Sequence, residues 1–202
     1  FKQKTAYEML RSLVGSEMCI RDSTHFPLGA SAENARFTIR SEKVPNRRGI
    51  EMILAAAGGN VLPREQVWDR MSAGGFAAVW IVGGYPRPGW ASPALVAGAR
   101  KCRFLVVQDL FPSELTELAS VVLPACAWIE REGTFVNAAG LLQPLDRAIA
   151  PPEGARADGR YLYELAGHTG LYTADRVREM MIRDMPAFGD VYRPPPAPRH
   201  QH

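Results

Sequence analysis

The chain has 202 residues, 47% of them hydrophobic and 22% charged, which suits a globular unit of one domain or one and a half. Its 24 basic and 21 acidic residues are scattered along the chain, with no basic stripe interleaved with aromatics, so a nucleic-acid partner is not expected. No run of about 18 apolar residues is present, so direct membrane insertion is not expected either, and Cys19, Cys102 and Cys126 lack the spacing of a zinc or iron–sulfur ligand set.

Residues 6–23 read AYEMLRSLVGSEMCIRDS and closely resemble translated sequencing-adapter read-through. They lack the basic start, apolar middle and small-residue cleavage site of a signal peptide. The bland alternative is a short amphipathic helix over 7–14, with Met9, Leu10, Leu13 and Val14 on one face. On the read-through reading Cys19 carries no meaning, and the natural chain starts near Thr24. Residues 1–23 are therefore set aside as artefact or disordered, and 24–187 are expected to form a partial α/β domain. Residues 188–202 are expected to be a disordered tail, given Pro194, Pro195, Pro196 and Pro198. That placement removes His200 and His202 as metal ligands, and His25 and His168 do not complete a set.

Within the remainder, a helix is predicted over 48–57, stopping at Gly58 and Gly59. A second follows over 63–71 with Pro63 in its first turn. The apolar run 76–82 (FAAVWIV) predicts a strand, and Gly83, Gly84, Tyr85 and Pro86 a loop. A helix over 92–101, a strand over 103–108 ending in Asp109, one or two helical turns over 114–119 and a strand over 120–123 follow. Strands rich in Val, Ile and Phe between helices of about ten residues imply a doubly wound parallel sheet covered on both faces. Ligands of such sheets sit at the carboxyl ends of the strands, which marks the loops 83–90, 109–114 and 124–137. Beyond Pro144 the chain turns polar and rich in Pro and Gly, with helices expected over 160–166 and 174–185.

Residues 121–143, VVLPACAWIEREGTFVNAAGLLQ, carry the most informative pattern. A buried strand ends at Pro124, a turn delivers Glu130, Gly133 permits close backbone approach, and Thr134 and Asn137 bring a hydroxyl and an amide near the strand ends. Such groups suit a polar ligand, but spacing alone favours a loop closed on itself by Thr and Asn. Glu130 and Glu132 are a candidate acid–base pair. Two residues apart in a turn they are expected to diverge into solvent, with no nucleophile nearby. Ser113, Ser120 and Cys126 have no nucleophile-elbow context, so no catalytic residue is assigned.

The longer run 106–143, VVQDLFPSELTELASVVLPACAWIEREGTFVNAAGLLQ, resembles the molybdopterin oxidoreductases: a strand ending Gln-Asp, a Phe two residues on, a Glu/Thr turn, then VVLPA, Glu, Gly-Thr, Asn and Gln. Residues 151–156 (PPEGAR) and 161–167 (YLYELAG) extend the likeness, and 43–49 (KVPNRRG) resembles an element of the large iron–sulfur subunit of NADH:quinone oxidoreductase. The resemblance covers roughly residues 40 to 185. Catalytic members carry a molybdenum or tungsten bis-pterin and act on formate, nitrate or sulfoxides. The large iron–sulfur subunit of the respiratory complex keeps the fold, generally without that cofactor, and holds iron–sulfur clusters in a separate N-terminal portion.

Two departures lean towards the cofactor-free branch. The Gly-x-Asn-Pro common in catalytic relatives is replaced by Gly83-Gly84-Tyr85-Pro86, and Tyr cannot offer the paired donor and acceptor of an amide. Their Gly-Arg-x-Gln is replaced by Gly140-Leu141-Leu142-Gln143, which removes a cation suited to anion binding. The resemblance thus implies a fragment of the large iron–sulfur subunit of respiratory complex I (NADH:quinone oxidoreductase), with no complete active site and no cofactor in this segment. It also implies partner subunits and a cytoplasmic place peripheral to the inner membrane. The alternative is the C-terminal part of a molybdopterin-dependent enzyme of formate dehydrogenase or nitrate reductase type. There, Gly83, Gly84, Asp109, Gly133, Thr134 and Asn137 would contact the cofactor. A segment of this kind is expected to be poorly stable alone, because its parallel sheet lacks donated strands or cover.

Overall fold

The computed structural model describes residues 32–33, 38–39, 46–57, 64–84, 89–137 and 139–192. The segment 6–23, Gly58 and Gly59, Tyr85 and Pro86, and the Pro-rich stretch 194–198 lie outside the described residues, as do Cys19, His25, His200 and His202.

A short antiparallel pair, β1 (Ala32–Glu33) and β2 (Thr38–Ile39), precedes helix α1 (Arg47–Ala57). Then come α2 (Arg64–Ser72), β3 (Ala78–Val82), α3 (Pro93–Ala99), β4 (Phe104–Asp109), α4 (Glu114–Leu118) and β5 (Val121–Pro124). Strands β3 to β5 form a parallel sheet in the order β3-β4-β5, with Val79 opposite Leu105 and Val107 opposite Val122. The expected α/β alternation is therefore observed, and side-chain caps fix where two of its short helices begin. Ser92 Oγ accepts from Leu95 N at the start of α3, and Ser113 and Thr116 form a reciprocal capping box on α4.

One face of the sheet builds the main core. Leu105 and Val107 pack with Val67, Met71, Phe76, Leu95, Val96, Ala99 and Leu115. Alternate side chains of β4 must then face the other way. Phe104 on that side is 46% exposed, and Val82 and Val121 are exposed too, so cover on both faces is not complete among the described residues. The strand ending at Pro124, expected to be buried, is instead a sheet edge with Val121 and Val122 exposed, because among the described residues β5 pairs only with β4.

The segment 124–137, expected as a loop, contains regular structure. After a 3-10 turn at Trp128–Glu130, β6 (Gly133–Val136) pairs antiparallel with β7 (Leu142–Leu145). Helices α5 (Asp158–Leu165), α6 (Ala174–Asp184) and α7 (Pro186–Val191) follow. The tail boundary expected after residue 187 thus falls inside α7. Phe188 is 1% exposed and joins Val136, Leu142 and Met185 in a second core, against α1 residues Met52, Ile53 and Ala56. No described helix is long and apolar enough to cross a membrane.

Candidate functional site at the strand ends

The carboxyl ends of β3 and β4 bring Gly83, Gly84 and Asp109 together. Gly83 N donates to the carbonyl of Gln108, continuing the ladder one residue past β3. Asp109 is 6% exposed, and both its oxygens are engaged. Oδ1 accepts from Gly84 N at 3.0 Å and from Leu110 N at 2.8 Å. Oδ2 accepts from the indole Nε1 of Trp90 at 2.8 Å. A Cβ on Gly83 would stand 2.6 Å from Asp109 Oδ1 and 2.8 Å from Trp90 Cζ2, so only glycine lets the carboxylate and indole close over this backbone. Gly84 has φ 95, and a Cβ there would meet nothing within 4 Å.

Beside this seat lies a second polar group. Gln108 is 1% exposed, and its Nε2 donates to Asp158 Oδ1 at 2.6 Å, tying the end of β4 to the first turn of α5. Asp158 Oδ2 pairs with the Arg131 guanidinium. Burial pulls the Arg131 pKa below its ordinary value, while Cys126 and Tyr172 oppose that shift. Burial pushes the Cys126 thiol up, with the Glu130 carboxylate acting in the same sense.

Gly133, Thr134 and Asn137 lie instead on the β6–β7 hairpin. Asn137 closes the hairpin on itself: Oδ1 accepts from Ala139 N and Leu141 N, and Nδ2 donates to Gln143 Oε1 at 2.8 Å. Gly133 and Thr134 line a cavity of about 180 Å³ together with Ile53, Val136, Leu142 and Arg178. Arg178, 9% exposed, pairs with Asp175 and donates to Thr134 Oγ1 at 3.4 Å. Glu130 and Glu132 diverge as expected, though not into solvent. Glu130 Oε2 accepts from Ala127 N, and Glu132 Oε1 accepts from Ala174 N at the start of α6. Both are half-buried and hold backbone in place.

Sequence reasoning passes over Trp90, Gln108, Arg131 and Asp158. Gln108 carries a signal, a polar residue inside an apolar strand, and such a residue needs a buried partner. Trp90 and Arg131 carry none, because their partners are 19 and 27 residues away and only the fold joins them. Among the described residues no group of three or more His, Cys, Asp or Glu is placed to hold a metal ion.

Comparison with known proteins adds a second line. The family model described as Molybdopterin oxidoreductase matches residues 18–168. The NADPH-Fe(3+) oxidoreductase subunit alpha of Geobacter sulfurreducens is 31% identical over 144 residues, 69% of this chain and 17% of that protein. A nitrate reductase of Symbiobacterium thermophilum is 36% identical over 122 residues, 56% of this chain and 16% of that protein. The F420-dependent formate dehydrogenase subunit alpha of Methanocaldococcus jannaschii is 45% identical over 67 residues, covering 33% and 10% respectively. The chain therefore spans about a sixth of the first two relatives' length.

Proposed function

The chain belongs to the molybdopterin oxidoreductase family, and from that premise we propose that it is a segment of the large subunit of a multi-subunit electron-transfer oxidoreductase, of the kind found as the large iron–sulfur subunit of NADH:quinone oxidoreductase. In this reading it contributes a domain without pterin to a complex at the cytoplasmic side of the inner membrane. Iron–sulfur clusters elsewhere in the parent subunit carry the electrons. Its work is to hold partner subunits in place. Relatives named as alpha subunits support a setting of several subunits.

The observation that carries the cofactor-free part is the filled crevice at the ends of β3 and β4. A pterin or nucleotide edge bound there needs free acceptors and an open face over the glycines. Both Asp109 oxygens are instead taken by the chain's own N–H groups, and the Trp90 indole lies against Gly83. These contacts support the reading without pterin. The test is the molybdenum, tungsten and pterin content of the full-length gene product isolated with its partners. We expect none in stoichiometric amount, and one metal per subunit would sink this reading.

A second reading is favoured by the likeness to the nitrate reductase and to the formate dehydrogenase subunit. The chain would then be part of a molybdopterin-dependent enzyme in which Gly83, Gly84, Asp109, Gly133, Thr134 and Asn137 line the cofactor. It requires Trp90 to leave the crevice and Asn137 to give up its hairpin bonds. The same metal measurement separates the two.

A further inference from the structure

We infer that Trp90 is an occupant supplied by the chain itself to a seat for a flat, N–H-bearing heterocycle, built by Asp109 and Gly83 at the carboxyl ends of β3 and β4. The inference rests on the cofactor-free reading and names the residue responsible for it.

Asp109 ends β4 and Gly83 follows β3, so the sheet supplies both walls of the seat. Asp109 is held in orientation by two backbone donors on Oδ1, Gly84 N and Leu110 N, which leaves Oδ2 aimed at Trp90 Nε1. The floor is the Gly83 backbone, where the indole edge comes within 2.8 Å of the place a Cβ would take. A buried carboxylate over a bare backbone is suited to a planar ring that presents one N–H, and it is indifferent to whether the ring arrives by covalent tether.

The tether is short and anchored. Trp90 stands two residues before Ser92, whose side chain caps α3, so the first turn of that helix sets where the indole lies. Another tryptophan shows that this pairing is not automatic for an indole on the sheet. Trp80 in β3 has its Nε1 buried with no hydrogen-bond partner. Trp90, at the strand ends, is the one matched to an acceptor.

If the seat is preformed, removing the side chain opens a hole that free ring can refill, as engineered apolar cavities take up small aromatic molecules. The experiment is Trp90→Gly in the full-length gene product, titrated with indole and with indene, which has the same shape and no N–H. Indole is expected to raise the melting temperature of Trp90→Gly by several degrees and leave the wild type unmoved. Indene is expected to bind about tenfold more weakly, because it leaves Asp109 Oδ2 unpaired. Adding Asp109→Asn should erase the preference for indole. If Trp90→Gly does not fold alone, refolding with indole is the readout, and recovery with indole but not indene supports the inference. A variant that neither responds to indole nor refolds with it overturns the inference, as does equal response to both rings. The two ideas fail separately: stoichiometric metal in the wild type sinks the cofactor-free reading, whereas an indole-blind Trp90→Gly from a metal-free wild type sinks only the occupant.

Discussion

Asp109 shows how closely one side chain can be specified by its neighbours. Its three donors come from Gly84, Leu110 and Trp90, and the approach works only because Gly83 has no Cβ. Gly83→Ala is therefore expected to push the carboxylate and indole apart and cost about 1–3 kcal/mol of stability, read as a lower urea midpoint. An unchanged midpoint would mean that the crevice is looser than its geometry. A second prediction concerns Asp158, which joins Gln108 and Arg131. Asp158→Asn keeps an acceptor for Gln108 but strands the Arg131 charge, at an expected cost of about 1–3 kcal/mol in the same assay. The third concerns pH. Burial raises the pKa of Cys126, Cys102 and Tyr172 above their unfolded values, and Glu130 and Glu132 add to the shift at Cys126 and Tyr172. Each group thus favours the folded state below its unfolded pKa. That contribution falls away as pH rises through the folded one, since the unfolded chain loses its proton first. Stability should fall above about pH 9, where thiols and then phenols ionise. A urea midpoint flat from about pH 8 to 11 would contradict it. At this scale Asp109, Gly83 and Gly84 are legible in the chain, because they end apolar runs. Trp90 is not, because nothing local marks its partner.

At the scale of elements, the helices and parallel strands between residues 64 and 124 follow the local pattern closely. The capping residues Ser92 and Ser113 are short-range features, and β3 and β4 are apolar runs. The hairpin at 133–145 does not announce itself. β6 begins at Gly133 and ends beside Asn137, and β7 contains Pro144, so turn-forming and strand-breaking residues mask any period of two. What makes them strands is pairing with each other and burial of Val136 and Leu142 against α1 and α7. Asn137 sets the connection. Its side chain binds two backbone N–H groups across a turn where Gly140 takes φ 84. Asn137→Ala should destabilise the fold by about 1 kcal/mol, with Asn137→Asp losing less because the acceptor survives. Equal stability in all three proteins would show that pairing alone closes the hairpin.

For the molecule as a whole, the parallel sheet is lined with helices on one face while Phe104, Val82 and Val121 remain exposed. Parallel sheets ordinarily bury both faces. Residues 24–190 on their own are accordingly expected to bind a hydrophobic dye and melt without a sharp transition. Phe104→Lys should reduce their light scattering. A single cooperative transition with no dye binding would remove this expectation. Composition and the strand–helix alternation were sufficient by themselves to indicate an α/β domain, because apolar periodicity and turn residues act over a few neighbours, and the resemblance of the run 106–143 pointed to the molybdopterin oxidoreductases. Only the tertiary structure decided that Asp109 is satisfied by an indole 19 residues away, that Glu132 holds the start of α6, and that Gly133, Thr134 and Asn137 belong to a separate hairpin. Those contacts depend on which distant segments the fold brings within hydrogen-bond reach, and no local pattern encodes that.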